Sequence, residues 1–82
     1  MIFDRMTAAK EKSVSEHGKP EQFTLATADY LAFIGTPHPL RTANHAATIW
    51  QFDKLSVTED AAGKSSLHFF SGKSGTTETI DF

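Results

Sequence analysis

Residues Ala47–Val57 read "ATIWQFDKLSV", the strongest β-type run in the chain, and they contain a conflict. Alternation places Trp50 and Phe52 on one face of a strand, whereas Leu55 and Val57 fall on the opposite parity. One regular strand cannot bury both pairs on the same side, so the register must change between them. Asp53-Lys54 is the expected place, either as a bulge or as a turn that makes two strands of one. Both devices belong mainly to antiparallel sheets.

Upstream of this run, "RTANHA" (Arg41–Ala46) reads as a loop, and "TPHPL" before it is extended, because a residue preceding proline is pushed out of the helical region. "DYLAFIG" is apolar on both parities from Tyr30 to Ile34 and fits either a central strand or a short buried helix. "EQFTLATA" (Glu21–Ala28) sets Phe23 and Leu25 against Gln22 and Thr24, as a half-buried strand does. From Ile2 to His17 the apolar residues Ile2, Phe3, Met6, Ala9 and Val14 recur at helical spacing, and Gly18 with Pro20 ends the helix.

Downstream, "TEDAAGK" (Thr58–Lys64) has turn composition, "SSLHFF" (Ser65–Phe70) is a strand with Leu67 and Phe69 opposite His68 and Phe70, and "TETIDF" (Thr77–Phe82) is a last short strand. The expected fold is α+β: an N-terminal helix over about residues 2–17, followed over 21–82 by a small, mostly antiparallel sheet or barrel of four to six short strands. No linker or repeat divides residues 1–82, which read as a single small domain.

A chain of 82 residues can bury only one small core, with about 60–65% of its unfolded surface removed from water. Its 39% hydrophobic content and seven phenylalanines are those of a folding chain. There is no cysteine to staple the fold, and self-association is one remaining way to bury more surface. The net charge of -2 and the dispersed lysines give no footprint for nucleic acid. The opening "MIFDRM" lacks the apolar run of a signal peptide, and no stretch approaches the roughly 18 apolar residues of a membrane span. A cytoplasmic location, or assembly into a virion, is expected, with neither nucleic acid nor membrane as partner.

"SGKSGTTET" (Ser71–Thr79) has the composition of a phosphate-cradling loop. A Walker loop requires glycine five positions before its Gly-Lys-Ser, and a helix after it. Counting back from Gly72 reaches Leu67, and from Gly63 of the similar Gly63-Lys64-Ser65 reaches Thr58, so both fail. Both read as hairpin loops at opposite ends of one strand. His17, His38, His45 and His68 lack the close spacings of metal ligands, although His38 and His45 flank a loop that Asp29 could join. The many Ser and Thr residues show no nucleophile elbow. No catalytic residue, cofactor or metal is expected.

The aromatic residues are core first. Yet apolar groups on both strand parities imply a second apolar face, and one helix covers only one face of a sheet. Either the sheet curls into a barrel or that face meets a protein partner, with Tyr30, Trp50, Phe52 and Phe70 as interface candidates and Pro37–His45 and Ser71–Thr77 as mobile rims.

The opening "FDRMTAAKEKSVSEHGKPEQFTL" (Phe3–Leu25) resembles the head-tail joining proteins of tailed phages, the small attachment or connector family. They tend to begin with Phe-Asp and an apolar-Ala-Ala helix, break at glycine and enter a Thr-rich strand. The resemblance implies a non-enzymatic subunit that docks in a ring and buries apolar faces between copies. Alternatives are a small phage or mobile-element inhibitor of a host protein and, from another class, a histidine-based metal-binding or hydrolytic protein around His38 and His45.

Overall fold

In the computed structural model, which describes residues 1–82, the chain runs through helix α1 (Ile2–Lys12), a π-helical turn (Ser13–His17), strand β1 (Lys19–Ala26) and helix α2 (Thr27–Gly35). Five strands follow: β2 (Arg41–Ala43), β3 (Trp50–Phe52), β4 (Leu55–Asp60), β5 (Ser66–Ser71) and β6 (Thr76–Asp81). They form one six-stranded sheet in the order β2-β3-β4-β1-β5-β6. Only β1 and β4 are parallel; every other neighbouring pair is antiparallel. The sheet does not close, so β2 and β6 are free edges, and the expected α+β class is realised as an open sheet rather than a barrel.

The conflict in Ala47–Val57 is resolved by a two-residue turn. Asp53 and Lys54 both take the left-handed conformation, φ 49° and 71°, which is the geometry that joins two right-twisted strands most tightly. Phe52 then faces Leu55, and Trp50 faces Val57. Directly opposed residues project to the same side of a sheet, so all four share one face. The parity break therefore creates no second apolar face, which corrects the sequence reading.

That shared face is the one the helices cover. Ile2, Phe3, Met6 and Ala9 of α1 and Phe33 of α2 pack in one cluster with Phe23, Leu25, Phe52, Val57 and Leu67. Tyr30, Ile34, Trp50, Leu55, Ile80 and Phe82 lie against it. From α1 the buried stripe continues into the π-helical turn at Ser13 rather than Val14, which is exposed, because Val14 stands about 100° further round. The π-turn closes with the Gly18 amide donating to the Ser13 carbonyl at 2.7 Å, while Ser13 Oγ donates to the Gly18 carbonyl at 2.7 Å. Glycine is required at 18 by close approach: a Cβ there would sit 1.9 Å from the Phe70 carbonyl oxygen.

The ambiguous Tyr30–Ile34 is helical, and Thr27 and Ala28 belong to α2 rather than to the preceding strand. α2 ends where Thr36 turns extended (φ -122°, ψ 120°) ahead of Pro37. Its carbonyl ends are held by Arg41, whose Nη1 donates to the main-chain oxygens of Phe33 (3.1 Å), Ile34 (2.8 Å) and Thr36 (2.9 Å). Arg41–Ala43, expected as loop, is thus the edge strand β2, and Thr58–Asp60, expected as turn, completes β4. Of the two Gly-Lys-Ser loops, only 72–75 is a hairpin loop; the one around Gly63 crosses over β1 to connect β4 with β5.

Candidate functional site

The structure separates the four interface candidates. Phe52 is 1% exposed and belongs to the core, so it touches no partner. Tyr30 and Trp50 are half-buried at the margin of the same cluster. The Trp50 ring makes a T-shaped contact with Phe33 at 6.0 Å and lies 4.9 Å from the Arg41 guanidinium, so part of its surface is engaged within the chain. Phe70 alone stands out, 43% exposed on the face of the sheet that no helix covers.

That bare face is polar. Gln22, Thr24, Gln51, Ser56, Thr58, His68, Thr77 and Thr79 alternate with the core residues of their strands and so project from it. They cross-link one another: Gln22 Nε2 donates to Thr58 Oγ1 at 3.1 Å, Thr24 Oγ1 and His68 Nε2 are 2.9 Å apart, and Thr77 Oγ1 donates to Glu21 Oε1 across β5 at 3.3 Å. A hydroxyl-rich face bonded to itself is stable in water without a covering layer.

The histidines do not converge. His17 stacks on Phe69 at 5.3 Å, and His38 stacks on Phe3 at 4.5 Å and accepts the Leu40 amide at Nδ1 (3.1 Å), while His45 is exposed on the loop after β2. Asp29, which could have joined His38 and His45, is engaged elsewhere. Both its oxygens accept from Arg5, at 2.8 and 3.0 Å, and it also accepts from Ser65 Oγ, which in turn accepts the Ala26 amide. The Arg5 hydrogen bonds hold its carboxyl below the usual carboxylate range, against the opposing effect of partial burial. This polar clamp ties α1, the start of α2 and the approach to β5 together. No three His, Asp or Glu side chains assemble as a metal-ligand group.

In the glycine-rich hairpin, Ser74 Oγ donates to Glu78 Oε2 at 2.8 Å and lies 2.9 Å from Thr76 Oγ1. A carboxylate therefore occupies the hydroxyl that a phosphate would need.

The surface that the sequence did not single out is the β6 edge. Thr76–Asp81 is free along its whole length on one side and exposed except at Ile80, and it contains no Pro, Lys or Arg to discourage pairing. The other edge, β2, is only three residues long. Beside β6, on the helix side, Arg5, Ala8, Ala9 and Lys12 of α1 and Ile80, Asp81 and Phe82 line an open groove of about 290 Å³. Arg5 Nη2 closes one end by donating to the Phe82 main-chain oxygen at 2.8 Å. Lys12 at the other rim has no ion pair. The groove is largely apolar, with Arg5, Lys12 and Asp81 as its charged lining residues, and it is at the small end of sizes that hold small-molecule ligands. No helix in the structure is long and apolar enough to cross a membrane.

No family model, curated protein or solved structure matches this chain.

Proposed function

We propose that this chain is a non-enzymatic protein-protein interaction or assembly module, and that it docks through the β6 edge. The observation that carries this reading is a six-residue edge strand with a full row of unpaired main-chain groups, flanked by an apolar groove and free of proline and basic residues. Such an edge is a template for strand addition, in which main-chain hydrogen bonds supply affinity and the neighbouring groove takes a side chain. The resemblance of Phe3–Leu25 to phage head-tail joining proteins supports the assembly form of the reading, a subunit that contacts its neighbours in a virion.

The test is a photo-crosslinking amino acid placed at Thr79 and, as a control, at the exposed Ser15 after α1, in cells making the protein. A discrete covalent adduct of defined mass is expected from position 79 and none from position 15. The absence of any adduct from position 79 overturns the reading.

A further inference from the structure

We propose that β6 pairs antiparallel with the β6 of a second copy of this chain, about a two-fold axis through Thr79, joining two six-stranded sheets into one of twelve strands. This rests on the reading of β6 as a docking edge and goes further by naming its occupant. A two-fold interface uses the same patch on both copies, and a strand edge is self-complementary by construction, since its donors and acceptors alternate.

The charges select the register. In a regular antiparallel pair, both exchanged hydrogen bonds join residues of equal parity, so the axis passes through a residue rather than between two. An axis at Glu78 would set its carboxylate against the same group of the second copy, and like charges directly opposite are destabilising. An axis at Ile80 would lose the overlap of Thr76 and Thr77. An axis at Thr79 overlaps the whole strand: Thr77 faces the second copy's Asp81, and Glu78 faces the second copy's Ile80. No like charges meet.

The same register completes the groove. Glu78 and Ile80 both project to the helix-covered side, because they pair with Phe69 and Leu67 of the core face. The second copy's Glu78 therefore arrives beside Ile80, in the groove whose rim carries the unpaired Lys12. Symmetry forms this charge pair twice. It also covers the half-buried Ile80 on each chain, which adds apolar burial to a core of only eleven buried hydrophobic residues.

Light scattering coupled to size exclusion over a concentration series reads the outcome. The wild-type chain should approach twice its 9.0 kDa mass. Thr79→Lys and Thr79→Glu each place two like charges at the axis and should weaken the dimer by up to about fivefold, and mixing the two should restore it as a heterodimer. Thr79 is exposed, and circular dichroism verifies that both variants remain folded. As a second route, Lys12→Glu alone should weaken the dimer and Lys12→Glu with Glu78→Lys should recover it; the control Thr42→Lys on the opposite edge should change nothing. A monomer at every concentration, or a dimer indifferent to both sets of variants, overturns the proposal. A monomer whose position 79 crosslinks to a different protein removes self-pairing and leaves the docking edge standing, whereas a monomer with no adduct removes both.

Discussion

Asp29 is the residue on which three elements depend. Its carboxylate holds Arg5 of α1, accepts Ser65 Oγ and sits in the first turn of α2, where negative charge suits the helix dipole. Because Arg5 holds the folded-state pKa of Asp29 below its unfolded value, the folded chain binds this proton less readily than the unfolded one. The stability it contributes is therefore fully present above the unfolded value near 4 and is lost as pH falls through the lower, folded value. Arg5 is about two-fifths exposed, so solvent weakens the pair, and Asp29→Asn should cost about 1 kcal/mol at pH 7. Urea unfolding of both proteins at pH 7, 5 and 3 checks this. The gap should be equal at pH 7 and 5 and smaller at pH 3; a gap that does not narrow means that the side chain acts through packing or capping geometry rather than charge.

At the scale of elements, the β3–β4 hairpin shows how far the sequence could be read. The misfit between Trp50/Phe52 and Leu55/Val57 located the turn at Asp53-Lys54, because side-chain parity is a local property. What the misfit could not show was that a two-residue turn returns all four side chains to one face, and the inferred second apolar face came from that gap. Tyr30–Ile34 stayed undecided because a short apolar run is periodic in neither sense, and only packing of Phe33 against the core makes it helical. β2 was invisible for a related reason: Arg41–Ala43 has a single apolar side chain, and its strand state follows from pairing with β3 and from Arg41 reaching the end of α2. The β6 edge was equally hidden, since which strand ends a sheet is decided by long-range order.

The turn itself retains a local cost. Lys54 at φ 71° occupies a conformation that is unfavourable for a residue with a Cβ, whereas Asp53 tolerates it and is anchored by Lys10 Nζ at 2.6 Å. Lys54→Gly removes the steric penalty but adds freedom to the unfolded chain, so the net gain should be at most about 1 kcal/mol. Thermal melts of the two proteins decide it, and a clear loss of stability on substitution would show that Lys54 makes a contribution beyond the turn.

For the molecule as a whole, the governing fact is that a single core lies between two helices and one face of an open sheet, while the other face is held by its own hydroxyl and amide hydrogen bonds. Phe69 and Phe70 are the sharpest probe of this, being adjacent in sequence, identical in chemistry and opposite in environment. Phe69 is 4% exposed under His17 and Phe70 is 43% exposed on the bare face. Truncating a buried phenylalanine costs about 3–5 kcal/mol, through lost transfer free energy and the cavity left behind. A chain of this length has a total stability of about 4–12 kcal/mol, so Phe69→Ala should remove at least about a quarter of it. Phe70→Ala should cost markedly less, since about two-fifths of the side chain is already wet and its removal leaves no enclosed cavity. Chemical denaturation of the two variants, at concentrations low enough to keep the chain monomeric, measures the difference. Equal large losses would mean that the second face is buried within the monomer, as in a closed barrel. A large loss at 69 with a small one at 70 fits a one-faced sheet, and it leaves assembly to the strand edge, where pairing extends the sheet without requiring an apolar face.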